Sequence, residues 1–117
     1  MEKLGSELMR GSLDLMVLSV LAAGPKYGYL IGQSLHEASR GMVDVQAGTM
    51  YPLLHRLEDD KLIRSRWDES TGRRRKWYEL TPAGHKRLKQ QANQWYQYAQ
   101  CLTKMLQPVL SASPEPA

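Results

Sequence analysis

The side chains most suited to binding a partner lie in residues 48–60, GTMYPLLHRLEDD. Apolar residues there follow the i, i+3, i+4, i+7 spacing of one helix face, and polar groups occupy the other positions. A proline costs about 3 kcal/mol inside a helix but is tolerated in the first turn. Pro52 therefore predicts a helix that begins near Gly48 or Thr49, with Thr49 as its N-cap. Such a polar N-terminal end can contact base edges in a DNA major groove. The groups expected to face base edges or adjacent phosphates are those of Thr49, Tyr51, Pro52 and His55, and Arg56 is expected to hold the DNA backbone.

A hairpin with a basic tip is predicted directly after this helix. Residues 62–69 and 75–81 have the composition and alternation of strands, and the turn between them contains Gly72. A helix followed by such a hairpin is typical of a winged helix-turn-helix. We therefore predict a mostly α fold with a small β-hairpin, namely a winged helix-turn-helix plus a long C-terminal dimerisation helix.

The cations of the hairpin can bind phosphate, although a basic cluster of this kind is often only a solvated face. Side chains alternate between the two faces of a strand, so not all of these cations can reach one partner. Arg73 and Arg74 are nearest the turn and best placed for a DNA backbone or minor groove, and Arg75 follows them. Lys26 and Tyr27 are predicted at the start of the second helix, where free N–H groups favour a phosphate. In the alternative, Tyr27 packs against the first helix.

Four further elements are expected to position these groups. One helix runs from Ser12 to about residue 23, and a second covers residues 27–39. Residues 42–45 are predicted to form a short strand that pairs with the hairpin. The last helix is predicted over residues 82–107, begun by Thr81 and ended by Pro108.

The last helix carries a seam suited to self-association. Its apolar residues are separated by alternating steps of four and three, which is a coiled-coil spacing. The first helix is apolar on more than one side, so it contacts a partner subunit or is simply the central helix of one monomer. We predict a homodimer that binds a palindromic operator, with domains at 1–81 (including a flexible leader, 1–10) and 82–110 and a disordered tail at 111–117. The predicted dimer residues are Leu13, Val17, Leu88, Ala92, Trp95, Ala99, Leu102 and Leu106.

An uncharged stretch of the last helix, residues 93–102, indicates a second site. Aromatic rings and amides there can line a pocket for a flat aromatic ligand, and a methionine would make the pocket adaptable. In the alternative, Trp95 is only a dimer-core residue. The predicted ligand-binding residues are Trp95, Gln94, Tyr98 and Met16.

Composition and charge exclude several other classes. The chain has 117 residues, a formal net charge of +4 and a pI of about 9.3, which suit one domain with an anionic partner. The single Cys101 excludes a disulfide framework, and Asp14 interrupts the stretch that most resembles a signal peptide, so we expect a cytoplasmic protein with no membrane partner. Because no ligand-pair, nucleophile or phosphate-loop motif occurs, we expect no enzyme, no cofactor and no metal site.

Taken in order, several motifs resemble the PadR-type bacterial transcriptional regulators over roughly residues 10–87. The most specific is Gly48-Thr49-Met50-Tyr51-Pro52, and Lys61 departs from the glycine more usual in the family. The resemblance implies a dimeric DNA-binding repressor, and in several small members an aromatic ligand binds between the terminal helices at the dimer interface. The alternative is a winged-helix protein-interaction module without DNA binding. The other motifs are GSLDL at 11–15, GPKYGY at 24–29 and GRRRK at 72–76.

Overall fold

The computed structural model describes residues 11–111, and it confirms a mostly helical fold with a small antiparallel sheet. The predicted leader, 1–10, and residues 112–117 of the predicted tail lie outside the described residues. No helix within 11–111 is long and apolar enough to cross a membrane. The elements are α1 (Leu13–Leu21), β1 (Lys26–Tyr27), α2 (Gly28–Ala38), α3 (Ala47–Asp59), β2 (Ile63–Asp68), β3 (Arg75–Leu80) and α4 (Pro82–Ser111).

The hydrophobic core lies between the first three helices and one face of the sheet. The apolar positions that predicted α3 are all buried, since they fall on its core-facing side. Val17 of α1 is also fully buried within this core. It has no surface left for a partner, so its assignment to a dimer contact is wrong, and α1 serves as a central helix of the monomer. The largest fully buried side chains are Val17, Leu18, Ile31, Leu54, Leu57 and Ile63.

The sheet has three strands in the order β1-β3-β2, all antiparallel. Its third strand is Lys26–Tyr27, and not residues 42–45 as predicted. Residues 42–45 form no strand within the described chain. Val43 packs into the core, and the Val43 N–H donates to the Ser39 hydroxyl at 2.8 Å instead of to a neighbouring strand.

A single threonine joins the end of α3, the start of β2 and the start of α4. The Thr81 hydroxyl lies 2.7 Å from the Lys61 carbonyl oxygen and 3.1 Å from that of Leu62, and it accepts the Gly84 N–H at 3.0 Å. The last bond is the helix cap that the sequence predicts. Lys61 itself has a φ of 61°, which is the left-handed conformation that glycine adopts most readily.

The C-terminal helix extends beyond the compact domain. It continues through Pro108 to Ser111, so its predicted end at residue 107 is wrong. The proline removes one backbone hydrogen bond near an exposed helix end, where water can replace it. Of its described residues only Gly84 is buried, and every residue from Ala92 to the end is exposed.

Candidate nucleic-acid interface

Helix α3 begins one or two residues earlier than its proline indicates. Gln46 is extended, and its carbonyl accepts the N–H groups of Thr49 at 3.0 Å and Met50 at 2.9 Å. The helix therefore starts at Ala47, and no side-chain cap is present, so the capping role predicted for Thr49 is wrong. Pro52 consequently lies in the second turn, where the carbonyl that it cannot bond belongs to the exposed Gly48.

The exposed face of α3 contains every residue of this helix that the sequence predicts for base or backbone contacts. Its opposite face is buried, so this polar face is the only one that α3 can present to a partner. Tyr51 is 45% exposed because its ring packs against Gly28 at the start of α2. A Cβ at Gly28 would lie 2.5 Å from the Tyr51 hydroxyl oxygen, so glycine permits this close approach. The exposed residues are Thr49, Tyr51, Pro52, His55 and Arg56.

Arg56, which the sequence assigns to the DNA backbone, binds another helix. Its Nη2 lies 2.6 Å from Oδ1 of Asp14 in the first turn of α1. Both side chains are substantially exposed, so the pair contributes less than about 1 kcal/mol to stability. Its structural effect is to link α3 directly to α1.

Lys26 and Tyr27 lie just before α2 and not in its first turn. Tyr27 is the N-cap residue, and its ring meets the Trp77 ring edge-on with centroids 5.1 Å apart. The side chain thus packs on the sheet, and not on the first helix as in the alternative. Lys26 pairs with Tyr78 in the sheet and points to the same face as that residue.

Glu58 connects α3 to the hairpin formed by β2 and β3, which we call the wing. The Ser65 hydroxyl of β2 donates to its Oε2 at 2.5 Å, and the Lys76 Nζ of β3 lies 3.9 Å from its Oε1. Burial raises the pKa of Tyr78 above its ordinary value, and the nearby Glu58 and Tyr51 raise this pKa further. The face of the sheet that carries Ser65, Lys76 and Tyr78 is therefore the one directed toward α3.

The wing turn is shaped by local hydrogen bonds. The Ser70 N–H donates to Oδ1 of Asp68 at 2.9 Å, and Gly72 adopts a φ of +82°. Hydrogen bonds from Ser70 lower the pKa of Asp68, and the positive charge of Arg66 lowers it further. The turn thereby holds a carboxylate beside the arginines at the tip.

The wing arginines divide between the two faces, as alternation predicts. The Cζ of Arg74 lies 4.3 Å from the centroid of the Trp67 ring, on the side toward α3. The Cζ of Arg75 lies 4.4 Å from the Tyr27 ring centroid, on the opposite side. Arg73 is exposed in the turn. Arg74 and Arg75 therefore cannot both meet the same stretch of a partner, and the sequence analysis gave no role to Trp67.

The residues predicted to bind a ligand divide between two places. Gln94, Trp95 and Tyr98 line an open cleft of about 300 Å³ together with Gln91, which the sequence analysis missed. The Trp95 and Tyr98 rings meet edge-on with centroids 5.5 Å apart. Within one subunit, Met16 does not line this cleft but packs against the domain core; its place in a site between two subunits stays a prediction.

The predicted dimer residues likewise differ in exposure. Leu13 and Leu88 are partly buried against the core. Further along α4, Ala92 and Ala99 are exposed, and the seam continues with Trp95 at 36%, Leu102 at 38% and Leu106 at 42% exposure. The seam is therefore open to solvent over the part of α4 that extends beyond the domain.

The chain has clear relatives among bacterial regulators. Residues 17–90 match the family model described as the transcriptional regulator PadR-like family. The transcriptional regulator Rv3488 of Mycobacterium tuberculosis is 39% identical over 82 residues, which is 70% of this chain and 74% of that protein.

Solved structures agree in both fold and family. A transcriptional regulator from Clostridium thermocellum is 32% identical, with a TM-score of 0.78 over 85% of this chain and 97% of that one. A PadR family transcriptional regulator from Eggerthella lenta is 37% identical, with a TM-score of 0.75 over 86% of each chain. These proteins are regulators and not enzymes, in agreement with the sequence analysis. The chain belongs to the PadR-like family of transcriptional regulators, with a winged helix-turn-helix and a long C-terminal helix.

Proposed function

We propose that the protein is a homodimeric repressor that binds a palindromic DNA operator and releases it when a flat aromatic molecule binds. DNA binding is supported by one observation, which is that the polar face of α3 and the basic wing lie side by side. The exposed polar face of α3 and the cations of the wing flank one another, because Glu58 holds the wing against α3. In this arrangement α3 enters the major groove while the wing follows the adjacent backbone.

The residues of α3 and the wing then have separate tasks. Thr49, Tyr51 and His55 offer hydroxyl and imidazole groups to base edges or adjacent phosphates. Arg73 and Arg74 contact the backbone from the wing, and Lys26 lies on the same face of the sheet. The net charge of +4 favours approach to the duplex.

Dimerisation is supported by the exposed apolar surface of α4. Met105, Val109 and Leu110 are each about 70% exposed, and they lie beside the seam of Leu102 and Leu106. A monomeric protein rarely leaves such a contiguous apolar surface in water. Two copies that pack along this surface would cover it, and their two recognition helices would match two operator half-sites.

The ligand assignment is supported by the cleft on α4. Its aromatic rings offer an apolar wall, and the Gln91 Oε1 is buried without a hydrogen-bond partner among the described residues. A buried acceptor in this state costs free energy until a donor satisfies it. A planar ligand with one hydrogen-bond donor would therefore suit the cleft better than a purely apolar one.

DNA binding is tested with a fluorescently labelled duplex taken from upstream of the protein's own gene. We expect the anisotropy to show tighter binding than to a scrambled duplex, with the affinity falling as salt increases, because phosphate contacts release counterions. Equal affinity for both duplexes would contradict sequence specificity. No binding to either at low salt would contradict the DNA-binding function itself.

The ligand site is tested by titrating naphthalen-1-ol, which has a hydroxyl donor, and naphthalene, which has none. We expect the naphthol to bind more tightly and to weaken operator binding. Trp95→Ala should weaken the binding of both compounds, because it removes the apolar wall, whereas Tyr96→Ala is a matched control, because Tyr96 does not line this cleft. Unchanged naphthol affinity in Trp95→Ala would refute the assignment, and a protein that sediments as a monomer would refute the dimer.

A further inference from the structure

The wing carries an alternating row of cations and aromatic rings on its side toward α3. We call the row formed by Trp67, Arg74, Lys76 and Tyr78 the α3-facing wing surface. Arg74 lies over the Trp67 ring, and the Lys76 Nζ lies 5.9 Å from the centroid of the same ring and 5.8 Å from that of Tyr78. Trp67 thus lies close to two cations, yet 56% of it remains exposed.

Strand register places this surface beside the recognition helix. Tyr78 is buried and interacts with Tyr51 of α3, so it marks where the sheet meets the helix. Toward the tip, Lys76 of β3 lies on the same face, and Arg74, just before the strand, lies over Trp67 on that face. Trp67 pairs with Lys76 from β2, so it shares that face. The surface therefore extends from the middle of α3 toward the tip of the wing.

The other side of the wing provides an internal comparison. Arg66 pairs with Trp77 across the sheet, so both point away from α3, as does Arg75 over Tyr27. Arg66 is exposed and lies 3.9 Å from Asp68. The same hairpin thus carries exposed arginines on two faces, of which only one accompanies the polar face of α3.

An exposed indole with two cations nearby matches the chemistry of a nucleic-acid backbone. Sugars present apolar surface between phosphates, and a flat aromatic ring can pack on such surface while flanking cations meet the charges. Stacking also holds the Arg74 guanidinium in a fixed plane, which leaves the N–H groups at its edge free to point outward. The Trp67 ring can therefore contact the nucleic acid itself and also orient the Arg74 side chain.

We infer that Trp67 is a DNA-binding residue, whose ring packs on deoxyribose beside the groove that α3 enters while Arg74 and Lys76 hold the flanking phosphates. The inference rests on the proposed DNA-binding function and adds an apolar contact to a wing that would otherwise act through charge alone. It also makes Trp67 the residue that orients Arg74.

The test measures duplex affinity over a salt series for the full chain and four variants. Trp67→Leu is expected to weaken binding about five- to tenfold while leaving the slope of affinity against salt unchanged, because Arg74 keeps its charge at the wing even without the ring that orients it. Trp67→Phe should retain most of the affinity, since it keeps a ring. Arg74→Ala should reduce the salt slope by about one. Arg66→Ala, which removes the same charge from the opposite face, should stay within about twofold of wild type.

The outcomes separate this inference from the function on which it rests. Wild-type binding together with a Trp67→Leu affinity within twofold would overturn the role of Trp67 and leave DNA binding intact. Absence of wild-type binding would overturn both. A reduced salt slope in Trp67→Leu, or an equal loss in Arg66→Ala, would also overturn it, because the effect would then be one of charge and not of the ring. Melting temperatures of all variants are measured to check that they are folded. If Trp67→Leu is not folded, equal losses of affinity in Arg74→Ala and Arg66→Ala would overturn the inference.

Discussion

Substitution of Gly84 tests how closely α4 approaches the rest of the domain. A Cβ at this position would overlap the Leu62 carbonyl oxygen. It would also lie 3.0 Å from the Leu62 carbonyl carbon and 3.2 Å from Cδ2 of Leu80. The first two atoms belong to the backbone, so no change of rotamer can relieve the overlap. In Gly84→Ala, the start of α4 must therefore move by about 1 Å to restore ordinary van der Waals separation.

Two opposing effects determine the size of the change. Alanine favours a helix over glycine by up to about 1 kcal/mol. Overpacking of a closely packed site costs about 1–3 kcal/mol, and here the displacement also strains the hydrogen bonds of Thr81. The overlap should prevail, with a net loss of about 2 kcal/mol and a melting temperature lower by about 10 °C for a domain of this size.

Gly48→Ala provides the matched control. Gly48 also lies in the first turn of a helix, but a Cβ there would meet nothing within 4 Å. It should therefore raise the melting temperature by a few degrees, through helix preference alone. Both variants are compared with wild type by circular dichroism at 222 nm, at one protein concentration, because association would also stabilise the fold. If Gly84→Ala melted at or above the wild-type temperature, the packing argument would be refuted.

Three further changes have defined outcomes. Lys61→Gly should raise the urea midpoint by the equivalent of about 0.5 kcal/mol, because Lys61 has a positive φ; Asp60→Gly, where φ is −80°, should lower it. The pKa of Tyr78 is raised above 10.0, so its neutral form stabilises the fold below that pH, and this stabilisation is lost as the pH rises further. In Tyr78→Phe, the free energy of unfolding measured by denaturant titration should therefore decline less between pH 9 and 11. Leu102→Glu should dissociate the proposed dimer in sedimentation while helical dichroism persists, and a variant that stays dimeric would contradict the α4 interface.

The elements with a clear hydrophobic period could be predicted from the sequence, and the exceptions have local causes. The buried face of α3 and the two long strands follow directly from spacing. Residues 42–45 alternate like a strand, but Val43 is drawn into the core and its N–H is bonded by Ser39. Lys26–Tyr27 is too short to produce a pattern, and it becomes a strand only because β3 lies beside it.

Candidate site residues could be predicted where their exposure on a helix face was enough to identify them. The polar face of α3 follows from its period, whereas the partner of Arg56 lies 42 residues away in sequence and only the folded chain brings Asp14 to it. From the sequence alone, α1 could be either a central or an interface helix, because both roles require the same apolar residues. Only the packed structure shows that Val17 lies in the core. Trp67 has the same alternation signal as a core residue, and only its exposure separates the two.

The hydroxyl of Thr81 has a geometric consequence at long range. It fixes the start of a helix of 30 residues, which at 1.5 Å per residue forms a lever about 45 Å long. A rotation of about 5° at this pivot would sweep the far end through about 4 Å, since displacement is the product of lever length and angle. In a dimer joined along α4, a small change of angle at this threonine would therefore change the separation of the two recognition helices. That separation sets the half-site spacing that the dimer can bind.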